Sequence, residues 1–226
     1  MTLSKLNKTI IECRKCNRLV NFREKIANEK RRQYFDQDYW GKPITGYGDD
    51  KAELLMVGLA PAAHGGNRTG RVFTGDKSAD FLFKCLYESG FSNQALSVNK
   101  NDGLKLNNLY LTTALKCVPP EDKPTSNELK TCFNFFSKEI SSLKNITIIL
   151  ALGKIGHDAC INYYKQYYNI KNKDYIFSHG SKNKLPDNKL LMGSYHPSPR
   201  NVNTGRINKS KMVSLLKKVK RELNTL

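Results

Sequence analysis

The sequence predicts an α/β domain built on a mostly parallel sheet, and three observations carry that expectation. Four short apolar runs punctuate the chain, at residues 53–58 (ELLMVG), 109–115 (LYLTTAL), 146–152 (ITIILAL) and 189–194 (KLLMGS). They are continuous rather than alternating, as strands covered on both faces are. Helical patterns lie between them, and strand–helix alternation is the mark of crossover-connected parallel strands.

In chain order, residues 4–35 read as a basic helical arm. After the first strand, residues 77–89 place Phe81, Leu82, Cys85 and Leu86 on one helical face, and Gly90 supplies a stop. After the second strand, Thr125-x-x-Glu128 behind Pro124 forms a capping box that opens a helix to about Ser142. A third helix runs from Gly153 to about Tyr168, directly behind the third strand. Residues 207–223 close the chain as a basic helix. With no repeat and no low-complexity linker, residues 1–226 read as a single domain.

Composition narrows the function classes. A hydrophobic fraction of 39% in 226 residues supplies one core. No run of 18 apolar residues exists, which speaks against a membrane-spanning helix. The first residues, MTLSK, lack the apolar stretch of a signal peptide, so a cytoplasmic location is expected. The formal net charge of +18 points to a polyanionic partner, nucleic acid being the usual one. No basic amphipathic helix carries the aromatic anchors of a membrane surface binder.

Ligands of parallel sheets sit beyond the carboxyl ends of the strands. Three unusual loops fall there: residues 59–76, 116–124 and 195–206. The first is glycine-rich, and Gly65-x4-Gly70 has the spacing of a phosphate-binding loop. Arg71 and Val72 stand where that loop needs Lys and Ser or Thr, so the nucleotide-binding reading fails. The third loop, Tyr195-His196-Pro197-Ser198-Pro199-Arg200-Asn201, places His196 at the mouth of the sheet. Its prolines stiffen it, and Arg200 at the tip suits insertion into a nucleic-acid groove. Thr-Gly-Arg occurs in both loops, offering Arg71 and Arg206 to phosphates.

Six cysteines in a reducing compartment suggest metal or burial rather than disulfides. Cys85 and Cys160 lie on apolar helical faces and read as core. Cys13-x2-Cys16 puts two thiolates on one helical face, while Cys117 ends the second strand and Cys132 lies early in the next helix. Four such thiolates suit either an iron–sulfur cluster or zinc, and spacing alone does not choose.

Together these segments resemble the uracil-DNA glycosylase superfamily, and within it the family 5 (type-B) enzymes of archaea and some bacteria. The resemblance runs from about Cys13 to Arg206. It rests on Gly58-Leu59-Ala60-Pro61-Ala62-Ala63-His64-Gly65 with Asn67-Arg68-Thr69-Gly70-Arg71, then Phe73-Thr74-Gly75-Asp76. It continues through Lys116-Cys117-x-Pro119-Pro120 with Lys123-Pro124, and His196-Pro197-Ser198-Pro199-Arg200-Asn201. It implies a three-layer α/β/α fold with a central four-stranded, mostly parallel sheet, and a 4Fe-4S cluster on Cys13, Cys16, Cys117 and Cys132.

The resemblance further implies base excision repair by a monofunctional enzyme that leaves an abasic site. No Lys is placed as a Schiff-base nucleophile, so strand cleavage is not expected. Phe73 would stack on the extruded base, with Ala60, Thr113 and Asn67 lining its pocket, and His196 would donate to uracil O2 as the bond breaks. Arg68, Arg71, Ser198, Pro199, Arg200 and Arg206 would face DNA. The substrate would be double- or single-stranded DNA containing uracil or another deaminated base such as hypoxanthine, handled by a monomer at the nucleoid. The chain departs from other families of the superfamily at Leu59 and Ala60, where they carry Asp, Asn or Glu. Water handling then falls to Asp76, His64 or Asn67, with Asp76 preferred. Thr113 stands where several relatives have an Asn that reads the uracil edge. The competing reading is a non-catalytic iron–sulfur DNA-binding protein.

Overall fold

The computed structural model describes residues 2–225; Met1 and Leu226, the ends of the expected domain, lie outside the described residues. The arm consists of α1 (Leu3–Ile11) and α2 (Asn17–Glu29). The sheet domain follows as β1 (Tyr47–Gly48), β2 (Leu54–Gly58), α3 (Gly66–Thr69), α4 (Lys77–Glu88) and β3 (Leu109–Thr113). It continues with α5 (Ser126–Ser142), β4 (Ile148–Leu152), α6 (Lys154–Tyr164), β5 (Lys182–Lys184), β6 (Leu190–Ser194), α7 (Pro199–Asn203) and α8 (Lys209–Leu223).

The four apolar runs become the four central strands, β3-β2-β4-β6, all parallel to their neighbours. Every residue in them is buried, which is why the runs do not alternate in polarity. The sheet is wider than expected: among the described residues it has six strands, because β1 and β5 add antiparallel edges. Neither edge has an apolar run to announce it. β5 reads Lys-Asn-Lys, and charged residues on an edge strand discourage pairing with other chains.

Alternate residues of each central strand face opposite layers. Leu54, Met56, Leu109, Leu111, Leu150 and Met192 pack against α4 and α8. Leu55, Val57, Tyr110, Ile149 and Leu191 pack against α5 and α6. The result is the expected three layers. The Thr125–Glu128 capping box opens α5, and Asp76 caps α4. Helix α6 ends at Tyr164, short of Tyr168, where the chain breaks into turns.

The arm departs from its expected form. It is two helices with a break between them, and Cys13 and Cys16 lie in that break rather than on one helical face. The break lets the arm fold back: Leu6, Ile10 and Leu19 form an apolar cluster with Leu115, Cys132 and Phe135. Arg18 clamps it to α5 through two 2.8 Å hydrogen bonds to Glu128.

Behind β3 lies a buried polar network. Lys116 Nζ donates to Glu139 Oε2 at 2.5 Å and to Thr112 Oγ1 at 2.6 Å. Tyr110 Oη and Gly46 N donate to the other Glu139 oxygen at 3.3 and 3.0 Å. Both charged side chains are at most 2% exposed. Removing one partner strands the other charge in the interior. Glu139→Ala should therefore lower the unfolding free energy by about 3–5 kcal/mol, read from the denaturant midpoint at unchanged slope; a loss within error would deny the network this role.

Candidate active site

The C-terminal ends of the parallel strands carry the site. Gly58 ends β2 and pairs in register with Thr113, the last residue of β3. Gly153, just beyond β4, donates its N–H to the carbonyl of Ser194 at the end of β6 at 2.8 Å. The loops that leave these ends therefore start from neighbouring points.

Phe73, on the first loop, is buried against the core and has φ +48°, a left-handed conformation that disfavours a bulky side chain. Its ring lies over Gly58: a Cβ placed there would stand 2.5 Å from Phe73 Cζ. Strain at Phe73 and a missing side chain at Gly58 are thus two halves of one arrangement, which sets an aromatic ring at the end of β2. Next to it, the Thr113 hydroxyl donates to the Leu115 carbonyl at 2.9 Å, and the side chain is buried. Its donor is spent on the backbone, leaving only acceptor capacity for a ligand.

His196 leaves β6 on the opposite side. The Asn201 amide donates to the His196 carbonyl at 2.9 Å, and Ser198 caps α7 by accepting from Asn201 N. Pro197 is buried and Pro199 opens the helix, so the histidine sits on a stiff turn. Its ring is half-buried and makes no hydrogen bond among the described residues. Burial pushes the imidazole down to about 4. At neutral pH it is an uncharged ring with one N–H to give.

Asp76 and His64 stand on the first loop. One Asp76 oxygen accepts from Ser78 N and Ala79 N at 2.9 and 3.1 Å. The other lies against Gly65, where a Cβ would come within 2.0 Å of it. Burial raises the carboxyl against the lowering effect of those two N–H donors. His64 Nδ1 is hydrogen-bonded to the Tyr39 hydroxyl at 2.9 Å, and burial, with Arg31 and Arg68 behind it, lowers its imidazole.

Several expected contacts turn out to be scaffolding. Arg68 is buried; it donates to the carbonyls of His64 and Gly75, both at 2.7 Å, and to Gln37 Oε1 at 2.6 Å, and its plane lies over Tyr34. Arg71 is buried too, held bidentately by Asp102 at 2.7 and 2.9 Å and donating to Ser97 and Thr74. Both were expected at phosphates; a long loop with inward-facing backbone needs internal donors, and they are spent there. Asn67, expected at the base and among the water-handling groups, is buried and gives its amide N–H to the Arg23 carbonyl of α2 at 3.2 Å. Ala60 packs against the arm cluster. The third loop keeps its expected exposure. Pro199, Arg200 and Arg206 face solvent, Ser198 is half-buried, and Arg206 lies over the Tyr195 ring at 4.3 Å. Sequence reading passed over Tyr39, Gln37, Ser97 and Asp102, which carry no local signal and meet the loop only in the folded chain.

On the other flank, Cys13, Cys16, Cys117 and Cys132 line one small cavity with Leu19, Arg23 and Phe135. No three His, Cys, Asp or Glu side chains among the described residues close on a single ion. The donor set nevertheless suits a thiolate-bound group. Lys116 N donates to Cys132 Sγ at 3.3 Å and Arg23 Nη1 to Cys117 Sγ at 3.1 Å, the kind of outer bonds that orient metal-binding sulfurs. Arg23 was also missed, although it stands seven residues after Cys16 on the buried face of α2.

Comparison with known proteins agrees with this geometry. Residues 45–220 match the family model described as the uracil DNA glycosylase superfamily. A type-5 uracil-DNA glycosylase of Thermus thermophilus is 39% identical over 213 residues, 94% of each chain. A type-5 uracil-DNA glycosylase of Pyrobaculum aerophilum is 38% identical over 209 residues, 92% of this chain and 88% of the relative. A type-4 uracil-DNA glycosylase of Archaeoglobus fulgidus is 24% identical over 203 residues, 87% of this chain and 82% of the relative.

The burial of His196 has a measurable consequence. The folded ring binds its proton only near pH 4, whereas an unfolded histidine binds one near 6.5. As pH falls through that window the unfolded chain takes up the proton first, so this contribution to stability is complete above 6.5 and erodes towards 4. A proton NMR titration of the His196 ring should show no step near neutrality; a midpoint near 6.5 would contradict the burial.

Proposed function

The chain belongs to the uracil-DNA glycosylase superfamily, as a member of its type-5 family, and from that premise we propose how its site releases a base. The protein is a DNA glycosylase of base excision repair: it hydrolyses the N-glycosyl bond of uracil in DNA. The non-catalytic alternative falls away with that membership. The observation that carries the site reading is His196, a neutral and unpartnered imidazole on a stiff turn at the mouth of the sheet.

A base inside a duplex is out of reach, so the nucleotide is extruded and its base stacks on Phe73. As the bond between C1′ and the base nitrogen breaks, its electron pair moves onto the base and negative charge gathers at O2. The His196 N–H donates a hydrogen bond there and keeps its proton; a fixed donor in a water-poor site stabilises such charge most. Water adds to C1′, and its proton passes to the Asp76 oxygen that lies against Gly65. Burial favours protonation of that carboxylate, which suits it to a base's work, and while ionised it also steadies the cationic sugar. His64, braced by Tyr39, borders the same loop as a secondary water partner. Arg200 and Arg206, with Ser198 and Pro199, meet the DNA backbone.

Cys13, Cys16, Cys117 and Cys132 would hold a 4Fe-4S cluster, which would supply a covalent brace between the arm, the segment after β3 and α5 and no step of the hydrolysis. The enzyme works as a monomer at the nucleoid. No helix among the described residues is long and apolar enough to cross a membrane. The substrate class extends to hypoxanthine and to single strands. Thr113 brings no free donor to the base edge and the neighbouring loop residues are small and apolar, so a wrong base leaves few groups unpaired. Stacking and charge stabilisation serve a purine leaving group equally.

Three measurements test this. His196→Ala should slow single-turnover release of uracil by about 10²–10³ while leaving DNA affinity unchanged; a fall in affinity at constant rate would refute the role. Protein purified without oxygen should contain about four irons per chain, and stoichiometric zinc in their place would rule the cluster out. Wild-type enzyme should release hypoxanthine as well as uracil, faster from mismatches that extrude easily. Complete inertness towards hypoxanthine would mean that another group reads the base edge.

A further inference from the structure

We infer that Arg23 is the buried counter-charge of the group held by the four cysteines, binding Cys117 through its sulfur and setting both the retention and the reduction potential of that group. The inference rests on the reading that the cavity holds a 4Fe-4S cluster. The Arg23 side chain is 2% exposed and stands in the wall of the cysteine cavity. Nη1 donates to Cys117 Sγ at 3.1 Å, and Nη1 and Nη2 both reach the Cys13 carbonyl at 3.2 Å. Nε is buried with no hydrogen-bond partner among the described residues.

A buried guanidinium needs an anion, and the protein offers it a poor one. The carboxylate in reach is Glu24, 4.0 Å away and 40% exposed, and it is already taken bidentately by Arg14. Lys116, in the same cavity wall, has its own buried carboxylate in Glu139. Lys15 is exposed. Arg23 is thus the buried cation of this cavity without a matching protein anion. A cluster bound by four thiolates carries net negative charge and supplies one. Two of the residues Arg23 bonds, Cys13 and Cys117, come from separate chain segments, so the guanidinium also ties their two loops together. A cation with an N–H on a ligating sulfur favours the more negative, reduced state, since net charge and sulfur hydrogen bonds set cluster potentials.

The side chain can be changed without touching the base pocket, because Asn67 bonds the Arg23 carbonyl and not its guanidinium. The experiment compares full-length wild type, Arg23→Gln and Arg23→Lys, purified without oxygen. Iron per chain, iron release to a chelator and the cluster midpoint in an EPR-monitored titration are measured. Arg23→Gln should bind its iron roughly 10–100-fold less tightly, read as faster release to the chelator, and its midpoint should move to more negative potential. Arg23→Lys keeps the charge and loses the fork, so its midpoint should fall between the two. A Gln variant with full iron, wild-type release and an unmoved midpoint overturns the inference. Should the Gln variant hold no iron, the Lys variant decides: a displaced midpoint supports the inference, and behaviour identical to wild type overturns it. Absence of iron from the wild type would instead sink the cluster reading itself.

Discussion

The site depends on how residues 59–76 are held. A loop this long, lying on the end of a sheet, turns many backbone carbonyls inward, and each needs a donor. Arg68 provides donors from within, to the carbonyls of His64 and Gly75. Arg71 ties the loop outward to Asp102, whose carboxyl is held near 2 beside that guanidinium despite its burial. With both arginines committed, the loop can keep Phe73 in a left-handed conformation that it would otherwise leave. The positive charge of the motif therefore serves rigidity, and the arginines left exposed are Arg200 and Arg206 of the loop after β6.

The arm is the second clamp on the same loop. Asn67 fastens it to α2, and α2 in turn is fastened to α5 by Arg18 and Glu128. Through Cys117 and Cys132, the cysteine cavity touches the segment after β3 and the first half of α5, and the Lys116–Glu139 pair locks the same segment to the later part of that helix. A brace at the cysteines thus acts on the scaffold of the base pocket without lying in it.

At the strand ends, environment sets the two titratable groups apart. His196 is kept neutral by burial, so it donates a hydrogen bond rather than a proton. Asp76 is raised by burial yet restrained by two backbone donors, leaving one oxygen engaged with the helix and one facing Gly65. Thr113 has its hydroxyl proton committed to the Leu115 carbonyl, so its side chain has acceptor capacity alone.

The sequence by itself determined the layered parallel fold, because continuous apolar runs and capping signals are local and the sheet obeys them. It also placed the loops that leave β2 and β6, since strand ends fix where those loops begin, and it grouped the four cysteines that the fold brings to one cavity. The edge strands β1 and β5 were invisible to it, being short and without an apolar run. Only the tertiary structure decided that the arm breaks at the cysteines, and that Arg68, Arg71 and Asn67 face inward. The physical reason is the same in each case. A guanidinium or an amide looks identical in sequence whether it meets a phosphate or a buried carbonyl. Its partners, Gln37, Asp102 and the Arg23 backbone, lie 31 or more residues away along the chain and become neighbours only when the layers close.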